Sequence, residues 1–149
     1  MKIATSYFYQ IRNFQPYMIP VSTAMSDPIW FQPPIGKEYY IDKRGVVCGL
    51  RYEPLIVQKM GTHICPCSEK NSLCGNCSTM KEYRELLNTV NYNKTIKAFE
   101  YCGNKFKKEL NFKEEPIIVL IVYEALSNPC SERKALQDYF KCKELDFYK

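Results

Sequence analysis

Four of the eight cysteines in this chain lie close together in the sequence and are spaced like metal ligands. They form two pairs, Cys65 with Cys67 and Cys74 with Cys77, separated by six residues. Each pair can supply two thiolates from one turn, and the short gap lets all four converge at the ~2.3 Å Zn–S distance of a tetrahedral site. His63 could replace one thiol of the first pair. We predict a zinc site, with an iron–sulfur cluster as the alternative because four thiolates serve both.

The predicted metal is structural. Four protein ligands leave no position for water, so the ion would stabilise a loop too small to have its own core. Disulfides or free thiols are the other interpretations, but the N-terminal residues lack the apolar segment of a signal peptide. The longest apolar stretch, seven residues from Ile117 to Tyr123, is far shorter than the ~20 that cross a bilayer. We therefore expect a cytoplasmic protein with no membrane partner.

A second group of candidate residues follows three predicted strands. In an open parallel sheet, the loops after the strands converge at the carboxyl edge and bind ligands there. Cys130 would lie in the first turn of a helix, where free amide donors favour an anion and lower a thiol pKa. Arg133, three residues on, could bind phosphate or carboxylate with two hydrogen bonds. The predicted pocket for an anionic, nucleotide-like small molecule comprises Thr5, Ser6, Tyr7, Ser22, Thr23, Tyr123, Glu124, Cys130, Ser131 and Arg133.

The same residues have a purely structural interpretation. Cys130 is a candidate catalytic nucleophile, but the only histidine of the chain, His63, is distant in sequence and already a candidate for the metal loop. Cys130 could equally be a small buried hydrophobic residue. In that case Glu124 and Arg133 would form a structural ion pair, and the hydroxyl groups would cap turns.

The charge of the chain does not by itself indicate nucleic acid. Twenty-one Lys and Arg against sixteen Asp and Glu give a net charge of +5, which is mildly basic. Residues 94–115 contain six lysines but also four glutamates, a mixture typical of a solvated helix face. The alternative function is a non-enzymatic interaction module, a nucleic-acid-binding protein or a phage counter-defence factor, acting through the zinc loop and Lys105, Lys107 and Lys108.

Hydrophobic patterning places these residues on a small α/β fold. The β-favouring runs Lys2–Phe8 and Met18–Thr23 predict two strands. Because Pro20 cannot donate to a ladder, it favours an edge position or a strand start for the second run. The run Pro116–Tyr123 is continuously apolar, which is typical of a central parallel strand covered on both faces. Residues 38–50 predict a hairpin about a turn that ends in glycine.

Helical periodicity accounts for most of the remaining chain. It predicts one helix over residues 80–90, a second capped by Asn93, and a final helix that begins at Asn128 and Pro129. The chain is thus expected to form a single α/β domain over 1–149, with three layers and a mostly parallel sheet. An insertion of about 38–78 would carry the β-hairpin and the Cys-rich metal-binding loop.

The proline-rich loop over 24–37 and the hairpin both contain aromatic residues. Trp30 and Phe31 are expected to pack this loop onto the core. An exposed aromatic patch for a partner, formed by Trp30, Tyr39, Tyr40 and Tyr52, is the alternative, although burial is the commoner fate of such side chains.

Both ends of the chain show a family resemblance. The runs Lys2–Phe8, Ile19–Ser22 and Val119–Glu124, with Asn128–Arg133, resemble the uncharacterised DUF family numbered four-eight-eight, found in bacteria, archaea and phages. The resemblance covers roughly half of the chain and implies a compact α/β domain with a site at the strand ends. Members typically have a Cys-His-Arg helix start. This chain has Ser131 and Glu132 after Cys130, so the family's histidine is missing, and the resemblance implies no particular reaction.

Overall fold

A four-stranded parallel sheet forms the centre of the fold in the computed structural model, which describes residues 1–56, 78–123 and 132–147. The order of its strands is β2-β5-β1-β6, and a separate antiparallel hairpin is formed by β3 and β4. In chain order the elements are β1 (Lys2–Tyr7), β2 (Met18–Ser22), β3 (Tyr40–Ile41), β4 (Val47–Cys48), α1 (Ser78–Thr89), α2 (Tyr92–Leu110), β5 (Ile117–Val122), α3 (Glu132–Phe140) and β6 (Lys143–Glu144).

Strand β5 lies between β1 and β2, as its apolar sequence predicts. Its side chains alternate between two hydrophobic clusters, with Ile118, Leu120 and Val122 on one face and Val119 and Ile121 on the other. Both faces of the sheet are therefore covered, which is the usual environment of a parallel sheet. Strand β2, which contains a proline, lies at one edge, where a missing backbone donor costs little.

Three helices cover the first face of the sheet. Helix α3 contacts β1 and β5, α1 packs beside α3, and α2 contacts β5. The buried face of α2 includes Phe99 and Phe106, and its lysines are left on the outer face, as amphipathic patterning predicts. The N-cap prediction was wrong by two residues, because Asn91 rather than Asn93 accepts the capping hydrogen bond from the Lys94 amide, at 3.0 Å. The predicted cap of the final helix lies outside the described residues.

Short 3₁₀ helices and the hairpin cover the second face. The 3₁₀ helix Phe8–Asn13 follows β1 directly and buries Phe8 and Ile11, and the 3₁₀ helix Ile29–Phe31 buries Phe31 completely. Together with the helical layer they make the predicted three-layer α/β arrangement. Trp30 departs from the prediction, because its side chain is half-exposed while Phe31 alone anchors the loop.

Strand β6 has no counterpart in the sequence analysis. It is two residues long, both of them charged, and it pairs in parallel with Ala4 and Thr5 of β1. The ladder continues one residue further through a hydrogen bond from the Leu145 amide to the Thr5 carbonyl, 2.7 Å. This strand brings the C-terminal residues to the carboxyl edge of the sheet. In the described part of the chain, none of the helices combines the length and the apolarity needed to cross a membrane.

Candidate functional site

The hydroxyl groups at the end of β1 are buried inside the protein. Thr5 and Ser6 are both fully buried. Thr5 Oγ1 accepts hydrogen bonds from Arg133 Nε at 3.2 Å and from Gln137 Nε2 at 3.1 Å, both on α3. Ser6 Oγ donates to Asp146 Oδ1 at 2.8 Å. The hydroxyls thus tie the strand to the helix and to the C-terminal segment.

Arg133 is the centre of this polar cluster. Its side chain is fully buried, and Nη2 donates to Asp146 Oδ1 at 2.6 Å and to the Thr5 carbonyl at 3.2 Å. The Asp146 side chain has no exposed surface. A buried charge costs several kcal/mol unless it is paired and hydrogen-bonded, as this one is. We call these residues, Thr5, Ser6, Arg133, Gln137 and Asp146, the Arg133 cluster.

A similar arrangement lies at the end of β2. Ser22 Oγ donates to Asp27 Oδ1 at 2.5 Å, and Arg51 Nη1 donates to the same oxygen at 2.7 Å. Thr23 Oγ1 donates to the Ile121 carbonyl at 3.0 Å. In both places a strand-end serine and an arginine share one buried aspartate. These aspartates were not identified from the sequence because neither belongs to a motif and each meets its arginine only through the fold.

The structure thus describes only some of the residues of the predicted strand-end pocket. Five of its residues are buried and hydrogen-bonded to other residues of the chain, namely Thr5, Ser6, Ser22, Thr23 and Arg133. Tyr7 accepts a hydrogen bond from Gln10 Nε2 at 3.0 Å, and the half-exposed Tyr123 packs its ring 4.8 Å from that of Phe8. Glu124, Cys130 and Ser131 lie outside the described residues, so the pocket and the Cys130 nucleophile stay predictions.

An open cavity lies on the second face of the sheet, beside the end of β1. Its volume is about 430 Å³, within the range of ~300–1,000 Å³ typical of small-molecule sites. The 3₁₀ helix Phe8–Asn13, the 3₁₀ helix Ile29–Phe31 and the β3–β4 hairpin meet there. The side chains that matter for its chemistry are Tyr9, Arg12, Trp30, Tyr40, Asp42 and Arg44.

Two aromatic rings stand at the walls of the cavity. Tyr9 is 57% exposed and Trp30 is 51% exposed. Phe8, which is buried, packs edge-on against Trp30 with the ring centroids 6.2 Å apart. Tyr9 already stacks with the Tyr7 ring and with the Arg12 guanidinium, so a flat ligand would stack on Trp30.

Arg12 brings a positive charge to the same walls. Its guanidinium carbon lies 3.7 Å from the centre of the Tyr9 ring, and Nε donates to the Tyr9 carbonyl at 3.1 Å. Within residues 1–56, 78–123 and 132–147, Arg12 forms no ion pair and its two terminal nitrogens make no hydrogen bond. A guanidinium held in this way presents donors to an anionic group.

Arg44 and Asp42 line the cavity from the hairpin. Arg44 Nη2 donates to Asp42 Oδ2 at 2.9 Å, and its Nη1 donates to the backbone carbonyl of Arg12. Burial alone would raise the pKa of Asp42, but hydrogen bonds from the Val46 amide and from Arg44 outweigh it and lower that pKa. Asp42 is therefore ionised at neutral pH and cancels the charge of Arg44, which leaves Arg12 as the uncompensated charge among these three.

Tyr40 and Cys48 are a cross-strand pair of the hairpin beside the cavity. Burial raises the pKa of the Cys48 thiol to about 11 and that of Tyr40 to about 12. The Tyr40 hydroxyl donates to the Trp30 carbonyl. Both groups are protonated at neutral pH, so Cys48 is a poor nucleophile.

The other predicted sites are largely untested by the structure. Cys65, Cys67, Cys74 and Cys77 lie outside the described residues, as does His63, and the zinc site stays a prediction. Among the residues that are described, no three His, Cys, Asp or Glu side chains are grouped to hold a metal.

Two of the lysines predicted to bind nucleic acid contact other residues of the chain. Lys105 lies over the Tyr39 ring at 5.2 Å, and Lys107 donates to the Lys113 carbonyl at 3.3 Å.

The cavity was not predicted as a site, although the sequence analysis considered Trp30 and Tyr40 for an aromatic patch. Its cation, Arg12, stands in a short 3₁₀ helix with no motif around it, and only the fold brings it to the hairpin. No family model, no curated protein and no solved structure matches this chain.

Proposed function

We propose that this protein binds a small molecule that combines a flat aromatic ring with a negatively charged group, as a nucleoside monophosphate does, in the cavity between Trp30, Tyr9 and Arg12. The observation that carries the proposal is the guanidinium of Arg12, which has no ion pair among the described residues, in a cavity that the half-exposed Trp30 ring also lines. The ring of the ligand would stack on an aromatic wall, and its anionic group would accept hydrogen bonds from Arg12.

The chemistry of the walls favours this ligand over a purely apolar or a purely anionic one. An apolar molecule would leave the Arg12 charge without a partner and partly desolvated, which is costly. A bare anion would find a single uncompensated charge among the described residues of the cavity, since Arg44 is already paired with Asp42. A molecule with both features contacts the Trp30 ring and the Arg12 guanidinium together.

The binding test uses the tryptophan itself as the probe. Trp30 is the only tryptophan of the chain, so its emission reports on the wall of the cavity. We expect nucleoside monophosphates to change this emission saturably. Arg12→Gln should weaken binding about tenfold or more, because a hydrogen bond to a charged group contributes about 1.5–3 kcal/mol and 1.4 kcal/mol is a factor of ten.

Matched controls separate the site from the rest of the surface. Arg84→Gln removes an arginine from α1, on the opposite face of the sheet, and should leave the affinity unchanged. Ribose 5-phosphate, which lacks the ring, and the uncharged nucleoside should each bind more weakly than the monophosphate. Equal affinity of Arg12→Gln and wild-type protein, or no nucleotide binding at all, would contradict the proposal.

The zinc prediction stands as a separate proposal with its own test. We expect about one zinc ion per chain when the protein is purified without chelators and without air, as one four-thiolate site requires. Replacing Cys65, Cys67, Cys74 and Cys77 by serine should abolish the metal content measured by plasma mass spectrometry. The control is Cys102→Ser with Cys142→Ser, two cysteines of the described part of the chain. Iron with visible absorption would favour the iron–sulfur alternative, and metal retained by the fourfold variant would contradict both.

A further inference from the structure

Four lysines and one tyrosine lie along the outer face of helix α2. Each residue of an α-helix turns the chain by about 100°, so residues three, four or seven positions apart share a face. The five side chains follow this spacing and fall within an arc of about 80°. They lie on the side of α2 away from the buried Phe99 and Phe106. We call them the lysine stripe: Lys94, Lys97, Tyr101, Lys105 and Lys108.

The fold separates charges that the sequence mixes. Of the four glutamates in residues 94–115, Glu114 and Glu115 come after the end of α2, and Glu115 pairs with the N-terminal amine at 2.7 Å. Glu100 and Glu109 flank the stripe, outside its arc. Among the ion pairs within residues 1–56, 78–123 and 132–147, none involves a lysine of the stripe. The four positive charges of the stripe are therefore uncompensated in this part of the chain.

The contacts of Lys105 and Lys107 fit this division. Lys105 lies 5.2 Å from the centre of the Tyr39 ring, and an aromatic ring attracts an ammonium group without cancelling its charge. Lys107, whose ammonium donates to the Lys113 carbonyl, falls outside the arc of the stripe. Lys105 thus remains available to an anionic partner, whereas Lys107 does not belong to this surface.

Tyr101 stands at the middle of the stripe. It is 72% exposed, and it lies about 10 Å along the helix axis from both Lys94 and Lys108. In the part of the chain that the structure describes, its ring packs against no other ring and no cation. An aromatic face left uncovered in this way can stack with a flat group of a partner.

We propose that the lysine stripe binds single-stranded nucleic acid, whose phosphates contact lysines on both sides of Tyr101 and whose base stacks on the Tyr101 ring. Such a strand matches both features of the surface, since it carries a charge at each phosphate and exposes the faces of its bases. The stripe belongs to the helical layer on the first face of the sheet, whereas the cavity lies on the second. The two sites are therefore independent of each other.

Two other polyanionic partners fit the stripe less well. In a duplex the bases are stacked on one another, so Tyr101 would find no uncovered base. A helix that lies on a lipid surface binds it through its apolar face, but the apolar face of α2 is buried in the core. Duplex and lipid vesicles therefore serve as the competing probes.

The first experiment measures the salt dependence of binding. A fluorescein-labelled oligothymidylate of about 16 nucleotides is titrated with the full-length protein and followed by fluorescence anisotropy. The logarithm of the binding constant should fall against the logarithm of the salt concentration with a slope of about −3, from four phosphate contacts at about −0.7 each. Lys97→Gln with Lys105→Gln should bring this slope to about −1.4. Lys43→Gln with Lys134→Gln removes the same charge outside α2 and should leave the slope unchanged.

Variants at position 101 test the aromatic ring. Tyr101→Ala should weaken binding about tenfold at constant salt, because the base loses its stacking partner. It should leave the salt slope unchanged, because no charge is removed. Tyr101→Phe keeps the ring and should bind as the wild-type protein does. The side chain is largely exposed, so neither variant should alter the fold, which circular dichroism checks.

Several results would overturn this assignment. Equal slopes for the two double lysine variants would remove the role of the stripe, and wild-type affinity of Tyr101→Ala would remove that of the ring. A duplex of the same length that binds as tightly as the single strand would contradict the partner. Binding to phosphatidylserine vesicles without binding to the oligonucleotide would do the same. Absence of binding to all three probes would overturn the whole inference and leave the proposal for the cavity intact.

Discussion

Replacing Arg133 with methionine is expected to lower the free energy of unfolding by about 3–5 kcal/mol, the usual cost of breaking a buried ion pair from one side. The variant leaves the Asp146 carboxylate, which has no exposed surface, without its 2.6 Å partner. It also removes donors to the hydroxyl and the carbonyl of Thr5. Denaturant unfolding, followed by circular dichroism, measures the loss.

The matched control for this loss is Arg84→Met. Arg84 pairs with Asp138 at 3.0 Å, but both side chains are more than a third exposed, and such pairs contribute only about 0–1 kcal/mol. The double variant Arg133→Met with Asp146→Asn should recover part of the stability, because it removes the buried charge that the single variant strands. A loss in Arg133→Met as small as that in Arg84→Met would contradict a structural role for the Arg133 cluster.

Replacing Gly49 with alanine is expected to cost about 2–5 kcal/mol, from backbone strain of about 1–2 kcal/mol and overpacking of about 1–3 kcal/mol. Gly49 has a φ of +105°, and a Cβ there would lie 3.0 Å from Cδ of Pro33 and 3.2 Å from its Cβ and Cγ. The residue follows β4, and its contact with Pro33 joins the hairpin to the loop that carries Trp30. We therefore expect the variant to show altered Trp30 emission as well as a lower unfolding midpoint.

Gly36→Ala isolates the backbone part of this effect. Gly36 also has a positive φ, +82°, but a Cβ there would meet nothing within 4 Å. Its cost should be limited to the conformational strain, about 1–2 kcal/mol. If both alanine variants lose the same stability in the same denaturant titration, the close approach to Pro33 is not what requires glycine at position 49.

These predictions follow from contacts that the sequence analysis did not assign. The sequence predicts Arg133 as a ligand-binding residue. In the structural interpretation, it predicts an ion pair between Arg133 and Glu124. Glu124 lies outside the described residues, and Asp146 pairs with Arg133 from a segment held to β1 by two charged residues, Lys143 and Glu144. Neither residue has a hydrophobic pattern, so only backbone pairing in the folded sheet identifies them as a strand.

Local patterning determined most of the regular structure by itself. The continuous apolar run became the central strand β5, Pro20 marked the edge strand, and helical periodicity located α1 and α2 to within two or three residues. These features depend on which faces of an element are apolar and on backbone donors, which are properties of neighbouring residues. They could therefore be predicted before any contact between elements was known.

The candidate site depended on tertiary structure. Its residues come from three separate segments: Tyr9 and Arg12 from the first, Trp30 from the second, and Asp42 and Arg44 from the third. Each segment alone is a short turn or 3₁₀ helix without a motif. Packing of Phe8 and Phe31 onto the second face of the sheet leaves Trp30 half-exposed at the cavity that Arg12 also lines. The sequence by itself determined the sheet and its helices because these follow from local periodicity. Only the fold decided the cavity and the buried ion pairs, because both are made by side chains from segments far apart in the chain.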